Sequence, residues 1–194
     1  MNNLKLFIKD YYTLPNLISI FRLLLAIPMF LVIQYINTEF VYRYYLLGLI
    51  FIATISDLLD GFIARKKNLI SEFGKIIDPL ADKVCVILII TQLYFLGEII
   101  SIYFWIIVGR DLLIFIGGII VSKKIGKVLP SNLLGKITVI TIGAFIIITV
   151  IDISKTNFLY HFFFYLSILM SVLSVFGYSL RALEVLRWNK NETI

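Results

Sequence analysis

Six stretches of about 20 mainly apolar residues, joined by short polar segments, constrain the fold of this chain more than any other feature. A helix needs about 20 such residues to cross the hydrocarbon core of a bilayer. Only 15% of the 194 residues are charged, whereas a soluble domain has about 25%. We therefore expect an all-α integral membrane protein that forms one domain over residues 1–194. The predicted spans cover about 16–36, 41–62, 76–97, 101–122, 134–153 and 157–180.

The segment before the first span has its own pattern. Residues 3–12 alternate Leu4, Phe7 and Ile8 with lysines, which predicts a short amphipathic helix lying on the membrane surface. The first apolar run lacks an A-x-A-like cleavage site and is long enough to remain as a span.

The basic residues are distributed unevenly between the two sides of the predicted bundle. Thirteen of the 18 Lys and Arg residues lie before the first span, between spans 2 and 3, between spans 4 and 5, or after the last span. The positive-inside rule then places both termini in the cytoplasm, most simply of a bacterium with the protein in its inner membrane. A nucleic-acid partner is not expected, because no basic stripe lies on a soluble fold.

Four carboxylates stand at the cytoplasmic ends of spans 2 and 3. Asp57 and Asp60 are three residues apart, and Asp78 and Asp82 are four apart, so each pair shares one helix face. A short loop makes these spans antiparallel neighbours, and the four side chains can converge. Charges at a membrane edge are costly unless they are paired or bind something, which marks them as functional candidates.

The chemistry of this cluster favours a divalent metal. Carboxylate oxygens without His or Cys suit Mg²⁺ or Mn²⁺, and two such ions can clamp a phosphoryl group. Gly61 and Ala64 leave room for a nucleotide, and Arg65 is a fork-shaped donor for phosphate. A zinc site is not expected, because the only histidine, His161, has no Cys or second His nearby. A small ion- or proton-coupled transporter is the alternative, although its polar groups should lie near mid-membrane on several helices.

The acidic stretch also carries a recognisable signature. Residues 57–82 read D-x2-D-G-x2-A-R-x8-G-x3-D-x3-D, which resembles the complete signature of the CDP-alcohol phosphotransferase family. The resemblance implies transfer of a phosphatidyl group from CDP-diacylglycerol to an alcohol with release of CMP, a two-metal site with Mg²⁺ or Mn²⁺, and a homodimer.

The resemblance also implies roles for individual residues. The metal ligands would be Asp57, Asp60, Asp78 and Asp82, and Asp82 would in addition be the general base. The CDP moiety would be held by Gly61, Ala64 and Arg65. The N-terminal PNLISIFR is similar to the family's first-span motif, and Asn16 and Ser19 would help to hold the nucleotide. Arg22 ends this motif, and it either snorkels to the headgroups or faces an anionic ligand.

The acceptor alcohol depends on residues outside the signature. Arg110, Lys136 and Arg181 would bind an acceptor phosphate, as basic residues do in relatives with phosphorylated acceptors. The alternative is that Arg110 pairs with Asp111 and Lys136 only anchors the topology. The motif DPLADK resembles the phosphatidylglycerophosphate synthase branch, which uses sn-glycerol 3-phosphate, and we favour this acceptor. GRDLLIFIGG is closer to cardiolipin synthases, whose acceptor is phosphatidylglycerol, and an inositol is a third alternative.

Overall fold

The structure is a computed structural model that describes the backbone of residues 13–67, 74–125, 133–152 and 154–192. Within these ranges, the side chains of residues 64, 65, 67, 74–79, 82, 125 and 188–192 are outside the description. The described residues form helices and turns, without β-strands. The helices are α1 Leu14–Ile33, α2 Val41–Lys67, α3 Gly74–Phe95, α4 Ser101–Ile125, α5 Leu133–Val150 and α6 Phe158–Glu192.

Most of these helices match the predicted membrane spans. All except α3 are long and apolar enough to cross a bilayer, and α3 contributes the shorter apolar helix Lys83–Phe95 among its described residues. The predicted all-helical fold is thus confirmed, with five to six apolar helices among the described residues, while the count of six crossings and the side of the termini stay predictions. The predicted interfacial helix at 3–12 lies outside the described residues.

The first compact unit ends at Glu98, and α1 is its central helix, packed against both α2 and α3. Proline in the first turn suits the start of α1, because the backbone N–H that proline lacks has no partner inside the helix there. One face of α1 is buried along its whole length, while residues such as Phe21 and Leu24 on the other face are exposed as for contact with lipid. The N-terminal half of the buried face is polar, with Asn16, Ser19 and Arg22.

A buried ion pair stabilises the other end of this unit. Arg43, in the first turn of α2, donates to the side chain of Asn37 over 3.0 Å and lies 3.4 Å from a carboxylate oxygen of Glu98, beyond α3. It therefore joins the α1–α2 turn to the chain after α3. Arg43 and Asp57 are 14 residues apart on one helix, about 21 Å along its axis.

The second compact unit begins at Ile99, and α6 packs against both α4 and α5. Tyr103, Phe145 and Phe164 form an aromatic core in this unit, with ring centroids 4.5 to 5.7 Å apart. Helices α4 and α6 run parallel, because three contacts follow in the same order along both. These contacts are Tyr103 with Ser167, Arg110 with Ser174, and Gly118 with Tyr178.

Helix α6 extends further than its apolar pattern indicated. The predicted span ends near 180, whereas the helix continues to Glu192. Hydropathy marks where the lipid ends, while helical hydrogen bonds continue into water as long as the residues permit a helix. Arg181 therefore lies within a helix rather than in a tail.

Candidate metal and phosphate site

Two of the predicted metal ligands lie on the C-terminal half of α2. Asp57 and Asp60 are one turn apart and share the face that packs on α1, as their spacing predicted. Their environments differ, since the side chain of Asp57 is 48% exposed whereas that of Asp60 is only 4% exposed. One carboxylate is therefore accessible to a ligand, and the other is held within the protein.

Arg22 of α1 joins these two carboxylates. Its Nη1 lies 2.6 Å from Oδ1 of Asp57, and its Nη2 donates to Oδ2 of Asp60. The side chain is only 2% exposed, so it is enclosed by protein rather than extended along the lipid-facing surface. Of the two alternatives for Arg22, the structure excludes snorkelling and makes the residue an internal partner of the acids.

Ser19 approaches the same carboxylate from one turn earlier in α1. Its Oγ lies 3.1 Å from Oδ2 of Asp60 and 3.1 Å from the backbone oxygen of Pro15. A hydroxyl has one hydrogen, so it donates to one of these oxygens at a time. Ser19 and Asn16 are both fully buried. Ser19 is in direct contact with the carboxylate of Asp60.

For the other two acids of the cluster, the structure describes only the backbone. Asp78 and Asp82 lie in the first turns of α3, and their side chains are outside the described residues, as are those of Ala64 and Arg65. Gly61 is partly buried next to Asp60 on α2. Among the side chains that the structure describes, no group of three or more potential metal ligands occurs.

The described carboxylates nevertheless fit a hard divalent cation. Oδ2 of Asp57 has no hydrogen-bond partner among the described residues, and its side chain is exposed. Asp57 and Asp60 are already gathered around one positive charge, the guanidinium of Arg22. All their donor atoms are oxygens, the type that Mg²⁺ and Mn²⁺ prefer.

The predicted acceptor residues lie in the second unit. Nε of Arg110 donates to Oγ of Ser174 on α6 over 3.0 Å, and its Nη1 pairs with Asp111. The pairing with Asp111 had been the alternative to phosphate binding, but it engages only part of the group. Of the five N–H donors of a guanidinium, two are used by described residues. The other three N–H donors make no hydrogen bond to a residue that the structure describes.

Lys136 and Arg181 occupy different surroundings. Lys136 is exposed in the first turns of α5, and Arg181 is partly buried on α6. Arg181 follows Ser174 by seven residues, or two turns, and so lies on the same face of α6. Arg181 therefore lies on the side of α6 that contacts Arg110, while Lys136 makes no hydrogen bond or ion pair with another residue in the part of the chain that the structure describes.

The contacts of Ser174 with Arg110 and of Arg22 with the two carboxylates were not predicted. Ser174 was not recognised as the partner of Arg110, because no local pattern links residues 64 positions apart. The role of Arg22 left a signal in the sequence: Asn16, Ser19 and Arg22 recur every three residues and must share one helix face.

Comparison with known proteins identifies the family of the chain. A sequence profile of the CDP-alcohol phosphatidyltransferase family matches residues 12–176, well over half of the chain. The chain belongs to this family. The match includes the acidic signature, Arg110 and Ser174, and it ends before Arg181. The predicted family is confirmed, and with it an enzyme rather than a transporter.

Several bacterial members of the family are similar to this chain, and those described next are each named CDP-diacylglycerol–glycerol-3-phosphate 3-phosphatidyltransferase. The protein of Aquifex aeolicus is 32% identical over 179 residues, which cover 89% of this chain and 97% of that protein. The Bacillus subtilis protein is 34% identical over 140 residues, 65% of this chain and 70% of that protein. The Rickettsia bellii protein is 39% identical over 102 residues, about half of each chain.

Proposed function

We propose that this chain transfers the phosphatidyl group of CDP-diacylglycerol to sn-glycerol 3-phosphate, which yields phosphatidylglycerophosphate and CMP in phospholipid biosynthesis. The observation that carries this proposal is the end-to-end similarity to the Aquifex aeolicus protein, whose name states this donor and acceptor. The gathered carboxylates of Asp57 and Asp60 supply the chemistry that such a transfer needs.

The metal site would consist of the two described carboxylates together with Asp78 and Asp82. When bound, a pair of Mg²⁺ or Mn²⁺ ions would neutralise the phosphates of the donor and favour loss of the proton from the attacking hydroxyl. Asp57 would contribute its exposed oxygen, and Asp60 would contribute from a fixed, buried position. The signature residues Gly61, Ala64 and Arg65 would hold the cytidine diphosphate, with Asn16 and Ser19 supporting it from α1.

The transfer itself is a substitution at phosphorus. Asp82 would take the proton of the acceptor hydroxyl, whose oxygen forms a new bond to the phosphorus that carries diacylglycerol. The bond between this phosphorus and the oxygen of CMP breaks, and CMP leaves with the electron pair. Because CMP departs as a phosphate, no separate general acid is needed.

The charge of the acceptor favours glycerol 3-phosphate over neutral alcohols. Arg110 keeps three N–H donors beyond its bonds to Ser174 and Asp111, and a guanidinium fork matches the oxygens of a phosphate monoester. Lys136 and Arg181 would add positive charge. Phosphatidylglycerol, the acceptor of a cardiolipin synthase, carries only a phosphodiester and would use these donors less fully.

The direct test supplies purified protein with CDP-diacylglycerol, Mg²⁺ or Mn²⁺, and one acceptor at a time. The acceptors are glycerol 3-phosphate, phosphatidylglycerol and inositol, and CMP release is measured. We expect CMP release with glycerol 3-phosphate and none above background with the other two acceptors. An Asp57→Asn variant serves as the inactive control. Preference for phosphatidylglycerol would make the chain a cardiolipin synthase.

The same proposal includes the membrane arrangement. We infer six crossings in a bacterial inner membrane, with both termini and the acidic site on the cytoplasmic side, where CDP-lipid headgroups are made. The support is the clustering of Lys and Arg in the segments on that side. A homodimer is proposed on the family resemblance.

A further inference from the structure

Arg22 is a buried charge for which the phosphatidyl transfer proposed above has no assigned task. It contacts both described carboxylates of the acidic site and comes from a different helix, α1. Its side chain lies on the face of α1 that packs against α2 and α3. On the α3 side, the sulfur of Cys85 lies 3.5 Å from the backbone oxygen of Arg22. The backbone of Arg22 therefore packs against α3, while its guanidinium packs against the acids of α2.

Without the guanidinium of Arg22, the carboxylates of Asp57 and Asp60 would destabilise the folded protein. A buried carboxylate such as Asp60 loses much of its hydration, and removing one partner of a buried ion pair leaves the other charge uncompensated. Asp57 and Asp60, one turn apart, also repel each other when both are ionised. One guanidinium that contacts both groups relieves the burial and the repulsion together. In the absence of metal, this cation stabilises the acidic face of α2.

The burial of Arg22 also determines what happens when a metal binds. Its side chain is shielded from water, and its position is fixed by the packing of α1 against α2. It remains beside the carboxylates, and a metal would use outward oxygens such as Oδ2 of Asp57. Two cations then share one anionic cluster, and each weakens the binding of the other by electrostatic repulsion.

We propose that Arg22 is a positioning residue that acts as the resident counter-ion of the metal carboxylates. It holds Asp57 and Asp60 in place before the metal arrives, and it keeps metal binding weaker than the bare carboxylates would make it. Ser19 assists by fixing Asp60. This inference rests on the proposed two-metal transferase.

The test compares Mn²⁺ binding to the full-length wild type and to Arg22→Gln in detergent, without substrates. Mn²⁺ is titrated while thermal unfolding is followed, and bound Mn²⁺ is counted by electron paramagnetic resonance. Without metal, we expect the variant to unfold roughly 5–15 °C below wild type. Mn²⁺ should recover most of this loss, and its Kd should be lower in the variant by about tenfold or more.

Arg43→Gln is the matched control. It also removes a buried arginine from an ion pair on α2, with Glu98, but about 21 Å from the acids along the helix. It should unfold at a lower temperature than wild type with an unchanged Kd for Mn²⁺. Arg22→Lys retains the positive charge and should bind Mn²⁺ within a few-fold of wild type.

Three results would overturn the inference. The first is an equal Mn²⁺-induced rise in unfolding temperature in wild type and Arg22→Gln, which would mean a packing role only. The second is weaker Mn²⁺ binding in the variant. The third is failure of Arg22→Gln to fold at saturating Mn²⁺, because the metal should replace the missing charge. If wild type itself does not bind Mn²⁺, the proposed two-metal function fails instead.

Discussion

Replacing Ser174 with alanine tests how α6 contributes to acceptor binding. In the structure, the hydroxyl of Ser174 donates to the backbone oxygen of Ser171 over 2.9 Å and accepts from Nε of Arg110 over 3.0 Å. Its hydrogen is thus directed away from Arg110, and its oxygen is free to accept. The substitution removes this acceptor and leaves the rest of the helix unchanged.

The expected magnitude follows from the type of hydrogen bond that is lost. A bond to a charged donor contributes about 1.5–3 kcal/mol, and 1.4 kcal/mol corresponds to a factor of about ten in binding. If Ser174 orients Arg110 towards the acceptor phosphate, Ser174→Ala should raise KM for glycerol 3-phosphate by about 10- to 100-fold. KM for CDP-diacylglycerol should change by less than about threefold, because the donor is held by the signature residues of the other unit.

The assay is steady-state CMP release with each substrate varied in turn. Ser171→Ala is the matched control, since Ser171 is equally buried on the same helix but donates only to the backbone oxygen of Ser167. It should leave both KM values close to wild type. Equal effects of the two substitutions, or equal changes in both KM values, would refute a role of Ser174 in orienting Arg110.

The remaining predictions use the same purified protein. Asp82→Asn should lower turnover by about 10²-fold or more while the variant still binds CDP-diacylglycerol; retained turnover in the CMP assay would remove Asp82 as the base. Arg110→Ala should raise KM for glycerol 3-phosphate at least tenfold with little effect on KM for the donor, and an equal effect on both would indicate a structural role. Gly118→Ala would place a Cβ 3.1 Å from the hydroxyl of Tyr178, and it should lower stability in thermal unfolding by about 1 kcal/mol. Gly143→Ala, with nothing within 4 Å, should not lower stability.

The helices were largely predictable because their lengths follow from the membrane. Each run of about 20 apolar residues must satisfy its backbone hydrogen bonds internally in lipid, and a helix does so. The start of α1 near Pro15 and the position of α2 relative to Asp57 and Asp60 agree with the predicted spans. The end of α6 did not follow the same pattern, since its helix leaves the apolar region and continues.

The sequence predicted some features of the candidate site, and the packing of the helices decided others. The spacing of Asp57 and Asp60 implied a shared face, and the family signature supplied the donor. For Arg22, the sequence left two alternatives open: snorkelling to the headgroups or facing an anionic ligand. The pattern of one helix indicates which residues share a face but not which neighbouring helix that face contacts. Only the packing of α1 against α2 assigned Arg22 to the two carboxylates.

The sequence by itself determined the properties that depend on consecutive residues. These are the apolar helices, the uneven distribution of the basic residues among the loops, and the acidic signature of the family, since hydropathy and one-turn spacing are local. The tertiary structure decided the contacts between distant residues, namely Arg22 with Asp57 and Asp60, and Arg110 with Ser174. Such contacts depend on which helix faces meet. In this protein, helix packing buries a cation beside the acids and orients a second one on α4.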